Sequence, residues 1–274
     1  MAGHVIYLYL RSLDKYEMRN TVFRKKLTAD SVIMNATDPI AIERIIDDIR
    51  PDIVINCIGA LVRESREHPD NAILLNAWLP HYLHKACSNQ GVKLIHISTD
   101  CVFSGQKGHY TETDFRDADD VYGRSKALGE INNDRDLTIR TSIIGPELKE
   151  NGEGLFHWFM TQKEPVYGFK TAIWGGVTTL ELAKAIDYAI ENETAGLVQL
   201  SNGESISKYD LLCLFRDIWH HDIEIIPDNR NHIDKSIAKS DVFNYSVANY
   251  VTMLDEMKCW MSEYKNYYVL YTDK

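Results

Sequence analysis

The sequence predicts an α/β fold in which a doubly wound, parallel sheet is covered by helices on both faces. Strand-like and helix-like segments alternate through the first half of the chain, which is the pattern of βαβ units. Two short runs, 51–57 and 92–98, are mostly apolar, as expected of strands that are buried on both faces. Hydrophobic residues make up 45% of the 274 residues and charged residues 26%, which is ordinary for a globular protein.

The spacing of apolar residues predicts the elements of the first half in order. Helical periodicity marks the helices, and short apolar runs mark the strands. The predicted elements are a helix over 4–13, a strand over 16–23, a helix that begins near Pro39, a strand over 51–57, a helix over 69–88, a strand over 92–98, a helix over 122–132 and a strand over 137–141. We expect a kink at Pro80, because proline cannot donate the helical hydrogen bond.

After Gly145-Pro146 the alternation loosens, and we expect a smaller lobe that packs against the sheet. Helices are predicted over 155–162, 179–191, 207–219 and 246–264, and Ser207 and Asp210 have the spacing of a capping box. No internal repeat and no linker rich in Gly, Ser or Pro separates the two halves. We therefore predict a sheet domain over 1–145 and a smaller lobe over 146–274 that is interleaved with it.

Composition and charge exclude several classes of protein. The formal net charge is −10, from 30 basic and 40 acidic residues, which argues against nucleic acid as a partner. The longest apolar runs fall far short of the ~20 residues of a membrane span, and we expect neither a span nor a secretory signal. The five cysteines are widely spaced and form no C-x-x-C pair, which predicts no disulfide framework and no zinc site, and indicates the cytoplasm.

Tyr122 and Lys126 carry the strongest chemical signal. A spacing of four places the phenol and the ammonium group on one face of the predicted helix. A neighbouring cation stabilises phenolate, so the spacing predicts a lowered pKa for Tyr122 and a role in proton transfer. The alternative is an exposed helix surface without chemical function.

The polar run Ser98-Thr99-Asp100 ends a predicted parallel strand. Ligands of α/β sheets bind at the carboxyl ends of strands, so a hydroxyl at Thr99 is placed to hydrogen-bond a substrate carbonyl that Tyr122 protonates. The alternative for Thr99 is a strand-end hydroxyl that satisfies only the local backbone. Metal-like spacing also occurs at His81 and His84, but with no third ligand in register, and we predict no metal site.

Three motifs in order resemble one family. They are Ser98-Thr99-Asp100-Cys101-Val102-Phe103-Ser104-Gly105, Tyr122-Gly-Arg-Ser-Lys126 and Arg140-Thr-Ser-Ile-Ile-Gly145-Pro146. Together they are similar to extended short-chain dehydrogenase/reductases, above all to dTDP-4-dehydrorhamnose reductases and related nucleotide-sugar reductases. The resemblance implies a Rossmann-type NAD(P)-binding domain and a C-terminal substrate-binding lobe. It reaches as far as Ser207-Lys-Tyr-Asp-Leu-Leu212.

The resemblance also implies a mechanism. NADPH delivers hydride to a keto carbon of a nucleotide-linked 4-keto-6-deoxy sugar used in cell-surface polysaccharide synthesis. Tyr122 donates the proton, Lys126 tunes Tyr122 and binds the nicotinamide ribose, and Thr99 orients the carbonyl. The substrate side includes Thr99, Asp100, Cys101 and Ile143.

Further positions match the family's cofactor site. Asn56-Cys57-Ile58-Gly59-Ala60 matches the strand end along the cofactor, and Asn35-Ala36 matches the position beside the adenine. The cofactor-binding residues implied in this way are Gly3, His4, Arg24, Asn35, Ala36, Cys57, Ile58, Gly59, Tyr122 and Lys126. Asn76 stands where such enzymes often carry a structural asparagine; a side chain bonded to backbone near Pro80 is the alternative.

Arg24-Lys25-Lys26 follows the second strand of the usual fold. An acidic residue there is typical of NAD enzymes, whereas a basic residue can pair with the 2′-phosphate of NADP. We therefore expect NADPH as the cofactor, with NADH possible; the alternative for these residues is a solvated basic loop.

The chain departs from the family at its start. The family's first strand and Gly-rich turn are missing, and Met1-Ala2-Gly3-His4 resembles the tail of that turn. The glycines of such a turn allow the backbone to approach a pyrophosphate, and the strand lies centrally in the sheet. We expect a gap in the sheet and weakened cofactor binding.

Two substrate-side positions also depart from the family. Cys101 stands where rhamnose-pathway reductases usually carry Tyr, and Ile143 stands where they usually carry Trp. These changes favour another nucleotide sugar over dTDP-rhamnose. Two other functions stay open, namely a non-catalytic protein like the regulatory subunit of methionine adenosyltransferase and a nucleotide-sugar epimerase. A homodimer is possible.

Overall fold

The computed structural model describes residues 1–271, and its centre is a four-stranded parallel sheet in the order β10-β5-β4-β3. The strands are β1 (Thr21–Val22), β2 (Val32–Ile33), β3 (Ile53–Asn56), β4 (Lys93–Thr99), β5 (Leu137–Thr141), β6 (Ile143–Ile144), β7 (Val166–Phe169), β8 (Ala172–Trp174), β9 (Val177–Thr178), β10 (Gly196–Gln199), β11 (Ile206–Ser207), β12 (Ile225–Asp228) and β13 (Ile233–Asp234). The α-helices are α1 (Ala2–Ser12), α2 (Pro39–Ile49), α3 (Val62–Glu67), α4 (Pro69–Ala72), α5 (Leu79–Ser88), α6 (Val121–Leu128), α7 (Leu155–Met160), α8 (Thr179–Glu191), α9 (Lys208–Trp219) and α10 (Tyr250–Glu263).

Helices cover both faces of this sheet, which confirms the doubly wound α/β prediction. Successive side chains of a strand point to opposite faces. Accordingly, Ile95 of β4 joins the apolar cluster that contains α1 and α8. Its neighbour Leu94 joins the cluster that contains α2 and α5. The strands are therefore apolar on both faces over most of their length, which is why they appear in the sequence as continuous apolar runs.

The strand predicted over 16–23 is shorter in the structure and lies outside the main sheet. Only Thr21–Val22 is extended, and it pairs in parallel with β2 as a separate two-stranded sheet. Tyr16 and Met18 instead pack beside α1 and α8, and the Tyr16 hydroxyl donates to Asp187 at 2.7 Å. Among residues 1–271, no strand joins this pair to β3, and the expected gap in the sheet stays a prediction.

The long helix predicted over 69–88 is divided. A π-helical turn over Ile73–Trp78 separates α4 from α5. Pro80 explains this break, because it has no N–H to offer the Asn76 carbonyl and its ring crowds that oxygen. The predicted kink therefore takes the form of a π-helical turn that precedes the proline.

The helix predicted over 122–132 is also shorter and ends at Leu128, before Gly129. A side chain on Gly129 would lie 1.9 Å from the Asn76 carbonyl oxygen, so the end of α6 packs directly against the π-helical turn. This contact fixes the end of the helix that carries Tyr122 and Lys126.

The second half contributes both to the main sheet and to smaller ones. Strand β10 pairs in parallel with β5, whereas β11, β8 and β13 form a separate sheet in the order β11-β8-β13. The Ser207 side chain caps α9 by accepting from the Asp210 backbone at 3.0 Å, as its spacing predicts. The domain boundary after residue 145 stays a prediction, and the last three residues of the 146–274 lobe lie outside the described residues. Within residues 1–271, no helix is long and apolar enough to cross a membrane.

Candidate functional site

The predicted catalytic residues Thr99, Tyr122 and Lys126 lie near the carboxyl end of β4, at the edge of the sheet where ligands of this architecture bind. Thr99 is the last residue of β4, and a 3₁₀ turn over Asp100–Val102 follows it directly. Helix α6 begins one residue before Tyr122, and the Asp120 side chain caps it by accepting from the Gly123 backbone at 2.8 Å. Aspartate is a preferred residue at this position of a helix.

Gly123 brings α6 against the 3₁₀ turn. A β-carbon on Gly123 would lie 2.2 Å from the Cys101 carbonyl oxygen and 2.5 Å from the Ala118 β-carbon. No side chain fits in that space, so the glycine between Tyr122 and Arg124 is required for the two elements to touch. The close approach places Tyr122 beside Thr99.

Thr99 is buried, and its hydroxyl makes two local hydrogen bonds. It accepts from the Cys101 backbone at 3.1 Å and donates to the Asp100 carboxylate at 3.0 Å. Thr99 also lies close enough to Tyr122 to act on the pKa of its phenol, which it lowers. The local bonds that the alternative interpretation predicts are therefore present, and Thr99 neighbours Tyr122 as well.

The pKa of Tyr122 shifts in the opposite direction from the sequence-based expectation. Burial of the hydroxyl raises the pKa, Cys101 raises it further, and Thr99 acts against both. The Lys126 amine donates to the Ile97 carbonyl at 2.7 Å. The expected lowering is thus wrong for this structure, and Tyr122 holds its proton at neutral pH.

Lys126 is buried, with only 5% of its surface exposed. Burial lowers the pKa of its ammonium group to about 8, and the Glu130 carboxylate is the main group that opposes this shift. At neutral pH the amine is therefore mostly protonated. An ammonium group has three donors, so two remain for a ligand.

Asp100 and Cys101, two of the predicted substrate residues, follow Thr99 in the 3₁₀ turn. Burial raises the pKa of the Asp100 carboxyl against the bond from Thr99, and burial raises the pKa of the Cys101 thiol to about 12. The thiol is therefore neutral. Ile143, the fourth predicted substrate residue, is half-buried in β6 beside Ser142, whose hydroxyl accepts from the Trp174 indole at 2.9 Å.

Asn76 connects the loop after β3 to α6. Its side chain is fully buried, accepts from the Ala60 backbone N–H at 2.8 Å, and donates to the Ala60 carbonyl at 3.0 Å and to Ser125 Oγ at 3.1 Å. Gly59 lies so close that a β-carbon there would stand 3.0 Å from Asn76 Oδ1. The structural role expected for Asn76 is what the structure shows, and none of these bonds goes to backbone near Pro80.

The loop after β3 carries the cofactor-side positions Cys57, Ile58 and Gly59. Asn56 holds its first turn by accepting from the Ile58 backbone at 3.0 Å. The start of α1 packs on the same loop, since a β-carbon on Gly3 would lie 3.3 Å from that of Cys57. The start of α1 and this loop therefore lie side by side.

The remaining predicted cofactor residues lie in different surroundings. The His4 ring is buried, burial lowers its pKa to about 3, and the ring lies 5.7 Å from that of Tyr268, so it faces the core as a neutral group. Arg24 is exposed just after β1 and packs over the Phe23 ring at 5.0 Å. Asn35 is exposed and accepts from the Thr37 backbone at 3.1 Å, and its neighbour Ala36 is buried.

A separate groove of about 600 Å³ is lined by residues from both halves of the chain. The residues that line it are Ser104, Gly105, Gln106, Lys170, Thr171, Ile173, Asn231, His232, Ile233 and Asp234. None of the predicted catalytic residues borders this groove. Its size therefore does not identify the chemical site.

The histidines with metal-like spacing have other partners. His81 Nε2 lies 2.7 Å from the Leu128 carbonyl, and His84 Nδ1 lies 2.6 Å from the Asp136 carboxylate. Within residues 1–271, no three His, Cys, Asp or Glu side chains group as metal ligands.

Sequence reasoning missed one polar cluster under the site. Glu130 and Arg140 form an ion pair, and both side chains are 0% exposed. Ser98 donates to the same carboxylate, and Arg116 forms a second ion pair with it. The only signal was an arginine within the otherwise uncharged strand 137–141. Its partner, ten residues earlier in the chain, is identified only by the fold.

Comparison with protein families gives one match over most of the chain. The model described as the RmlD substrate binding domain matches residues 11–240. A dTDP-4-dehydrorhamnose reductase of Mycobacterium tuberculosis is 40% identical over 113 residues, which cover 39% of this chain and 36% of that protein. Methionine adenosyltransferase 2 subunit beta of Xenopus tropicalis is 25% identical over 209 residues, which cover 68% of this chain and 60% of that protein. The chain thus matches less than two thirds of the length of these relatives.

Solved structures share the fold at low sequence identity. A dTDP-4-dehydrorhamnose reductase of Bacillus anthracis in complex with NADP has a TM-score of 0.74 at 21% identity, covering 83% of this chain and 87% of its own. A UDP-glucose 4-epimerase of Thermotoga maritima with UDP-glucose has a TM-score of 0.78 at 17% identity, covering 97% and 96%. These matches confirm the Rossmann-type fold.

Proposed function

Since the chain belongs to the family of the RmlD substrate binding domain, we propose that it is an NADPH-dependent reductase of a nucleotide-linked 4-keto-6-deoxy sugar. One observation carries the proposal. A protonated Tyr122 neighbours Thr99 at the carboxyl edge of the sheet, and the next turn of the Tyr122 helix holds the buried amine of Lys126. That arrangement brings a proton donor, an orienting hydroxyl and a cation together.

The described residues fit the nicotinamide half of the cofactor. In the loop 57–59, a side chain on Gly59 would lie within 3.0 Å of Asn76 Oδ1, so the loop keeps its close packing only with glycine there. Lys126 would hold the ribose hydroxyls, and the N-terminus of α1 at Gly3 would face the pyrophosphate, since helix N-termini favour anions. When bound, NADPH supplies the hydride.

The protein's own groups handle the proton. The raised pKa of Tyr122 keeps the phenol protonated, as a donor to a developing alkoxide must be. Thr99 can rotate its hydroxyl from Asp100 toward a substrate oxygen and so orient the carbonyl against Tyr122. Once the proton has left, the Lys126 ammonium stabilises the resulting phenolate.

The choice of cofactor and sugar rests on three positions. Arg24 is exposed beyond β1, where a guanidinium can pair with the 2′-phosphate of NADPH, which supports NADPH over NADH. Cys101 and Ile143 present a thiol and an aliphatic side chain to the substrate. A sugar nucleotide that does not require two aromatic contacts is therefore the proposed substrate.

Two further features belong to the same proposal. All five cysteines are free thiols, which supports the cytoplasm as the compartment. A homodimer is part of the same proposal, and light scattering of the purified chain would test it.

Fluorescence titration with NADPH and NADH tests the proposal first, followed by a screen of nucleotide-linked keto sugars. We expect NADPH binding at micromolar concentration and stoichiometric NADPH oxidation, and Tyr122→Phe should retain binding while losing at least about 100-fold in turnover. Turnover without net NADPH consumption would indicate an epimerase. Full biological activity in Tyr122→Phe would indicate a regulatory protein, and absence of NADPH binding would refute the reductase.

A further inference from the structure

One buried tyrosine holds the segment that connects β6 to α7. Tyr271 ends the 3₁₀ turn Val269–Tyr271, and its side chain is buried. Its hydroxyl accepts from the Glu147 backbone N–H at 2.9 Å and lies 2.7 Å from Nδ1 of His157 in α7. Tyr271 therefore joins the first residue of segment 147–154 to the helix that follows it. We call this segment the strap.

The direction of each hydrogen bond follows from its partners. Nε2 of the buried His157 ring lies 3.0 Å from the Glu150 carbonyl. A carbonyl can only accept, so Nε2 carries the hydrogen and Nδ1 is an acceptor. Burial raises the pKa of Tyr271, so the hydroxyl keeps its one hydrogen. It donates this hydrogen to His157 Nδ1, since the Glu147 carbonyl is more distant at 3.5 Å.

The strap also folds around the side chain of Glu147. This side chain is buried, and its Oε1 accepts from the Gly154 backbone N–H at 2.6 Å. A β-carbon on Gly152 would lie 2.7 Å from Glu147 Cδ and 2.9 Å from His157 Cδ2. Because buried polar groups are costly to leave unpaired, these bonds favour a single conformation of the strap.

The strap borders the side of the molecule where we place the cofactor. Glu153 pairs at 3.1 Å with Arg63, in the first turn of the helix α3 that follows the loop after β3. A β-carbon on Gly154 would lie 3.0 Å from Cε of Met1, at the start of α1. The strap therefore contacts the starts of both α1 and α3.

We propose that Tyr271 is a positioning residue: its hydroxyl holds the strap against the starts of α1 and α3, where the strap forms one wall of the NADPH site. This inference rests on the proposed function, because the wall matters only if the cofactor binds there. A loosened wall has to be ordered when the cofactor binds, which lowers affinity. Tyr271 touches none of the predicted catalytic residues, so the chemical step should not depend on it.

Tyr268 provides a matched control in the same turn of chain. It is fully buried, and its hydroxyl accepts from Trp260 Nε1 of α10 at 3.2 Å. Tyr271→Phe and Tyr268→Phe each remove one buried hydroxyl and keep the ring. Only the first variant removes a bond to the strap.

Hydrogen exchange of the cofactor-free chain, followed by NMR, tests the hold on the strap. The Gly154 amide is the most informative group, because its own bond goes to Glu147 and not to Tyr271. In Tyr271→Phe we expect the amides of Glu147 and Gly154 to exchange at least about tenfold faster. In Tyr268→Phe their exchange should not change.

NADPH titration and steady-state kinetics test the positioning role. In Tyr271→Phe we expect the Kd for NADPH to rise about fivefold, the worth of one hydrogen bond. The kcat at saturating NADPH should stay within about twofold, because Thr99, Tyr122 and Lys126 are unchanged. Tyr268→Phe should alter neither quantity.

Gly152→Ala supports the same test if Tyr271→Phe does not fold. The new methyl group displaces the Glu147 carboxylate from within the strap and leaves the core unchanged, so exchange and Kd should rise in the same way. Unchanged exchange of Gly154 in the folded variants, or an equal rise in Tyr268→Phe, would overturn the proposal. Faster exchange with unchanged NADPH affinity would overturn the positioning role. A native chain that binds no NADPH, although Tyr271→Phe still opens the strap, would refute the reductase and leave the hold of Tyr271 on the strap intact.

Discussion

Replacing Asn76 by alanine should loosen the cofactor loop and destabilise the whole chain. The change removes three hydrogen bonds and leaves the N–H of Ala60, which is 4% exposed, without a partner, whereas the Ala60 carbonyl keeps its bond from Ser65 Oγ at 3.2 Å. A buried polar group left unpaired costs about 1–3 kcal/mol. We therefore expect a loss of about 1–3 kcal/mol, against the ~5–15 kcal/mol by which domains are stable.

Urea unfolding followed by circular dichroism would measure this loss. The matched control is Asn71→Ala, a few residues earlier, which removes one partly buried bond to Glu64 at 2.8 Å and should cost less than about 1 kcal/mol. NADPH affinity should fall in Asn76→Ala and not in Asn71→Ala, because only Asn76 holds the loop after β3. Equal stabilities of the two variants would refute the reasoning.

Three other predictions concern the site directly. Gly123→Ala should cost about 1–3 kcal/mol and lower turnover more than NADPH affinity, because the new methyl group pushes α6 away from Cys101; unchanged turnover would contradict the packing argument. NADPH affinity should decline as the pH rises through the Lys126 pKa of about 8, since the ammonium form is lost above it, and the titration of Lys126→Met should show no such decline. Arg24→Ala should weaken NADPH binding and leave NADH binding unchanged, and equal effects on both cofactors would exclude contact with the 2′-phosphate.

Local sequence patterns predicted an element well where its own residues carry a strong apolar or helical pattern. The strand 137–141 and the helix 179–191 have the expected bounds, because an apolar run and helical periodicity are both local signals. The strand predicted over 16–23 was mostly wrong. Tyr16 and Met18 alternate with polar residues, as in a strand. In the structure they pack against the apolar cluster that contains α1 and α8 and do not join a sheet.

The candidate site was partly predictable for the same reason. The residue types and spacing from Tyr122 to Lys126, and the polar run that contains Thr99, can be read directly from the sequence. The role of Gly123 becomes visible only where α6 meets Cys101. The Glu130–Arg140 pair depends on two elements meeting in space.

The sequence by itself determined the alternation of strands and helices, the polar residues at the strand ends, and the family they resemble. Tertiary structure alone decided the protonation states. Spacing places Lys126 beside Tyr122, but only the burial of both side chains shows that the Tyr122 pKa rises and that the Lys126 pKa falls to about 8. The physical reason is that a pKa depends on desolvation and on charges brought together by the fold, and neither quantity is a property of a local stretch of sequence.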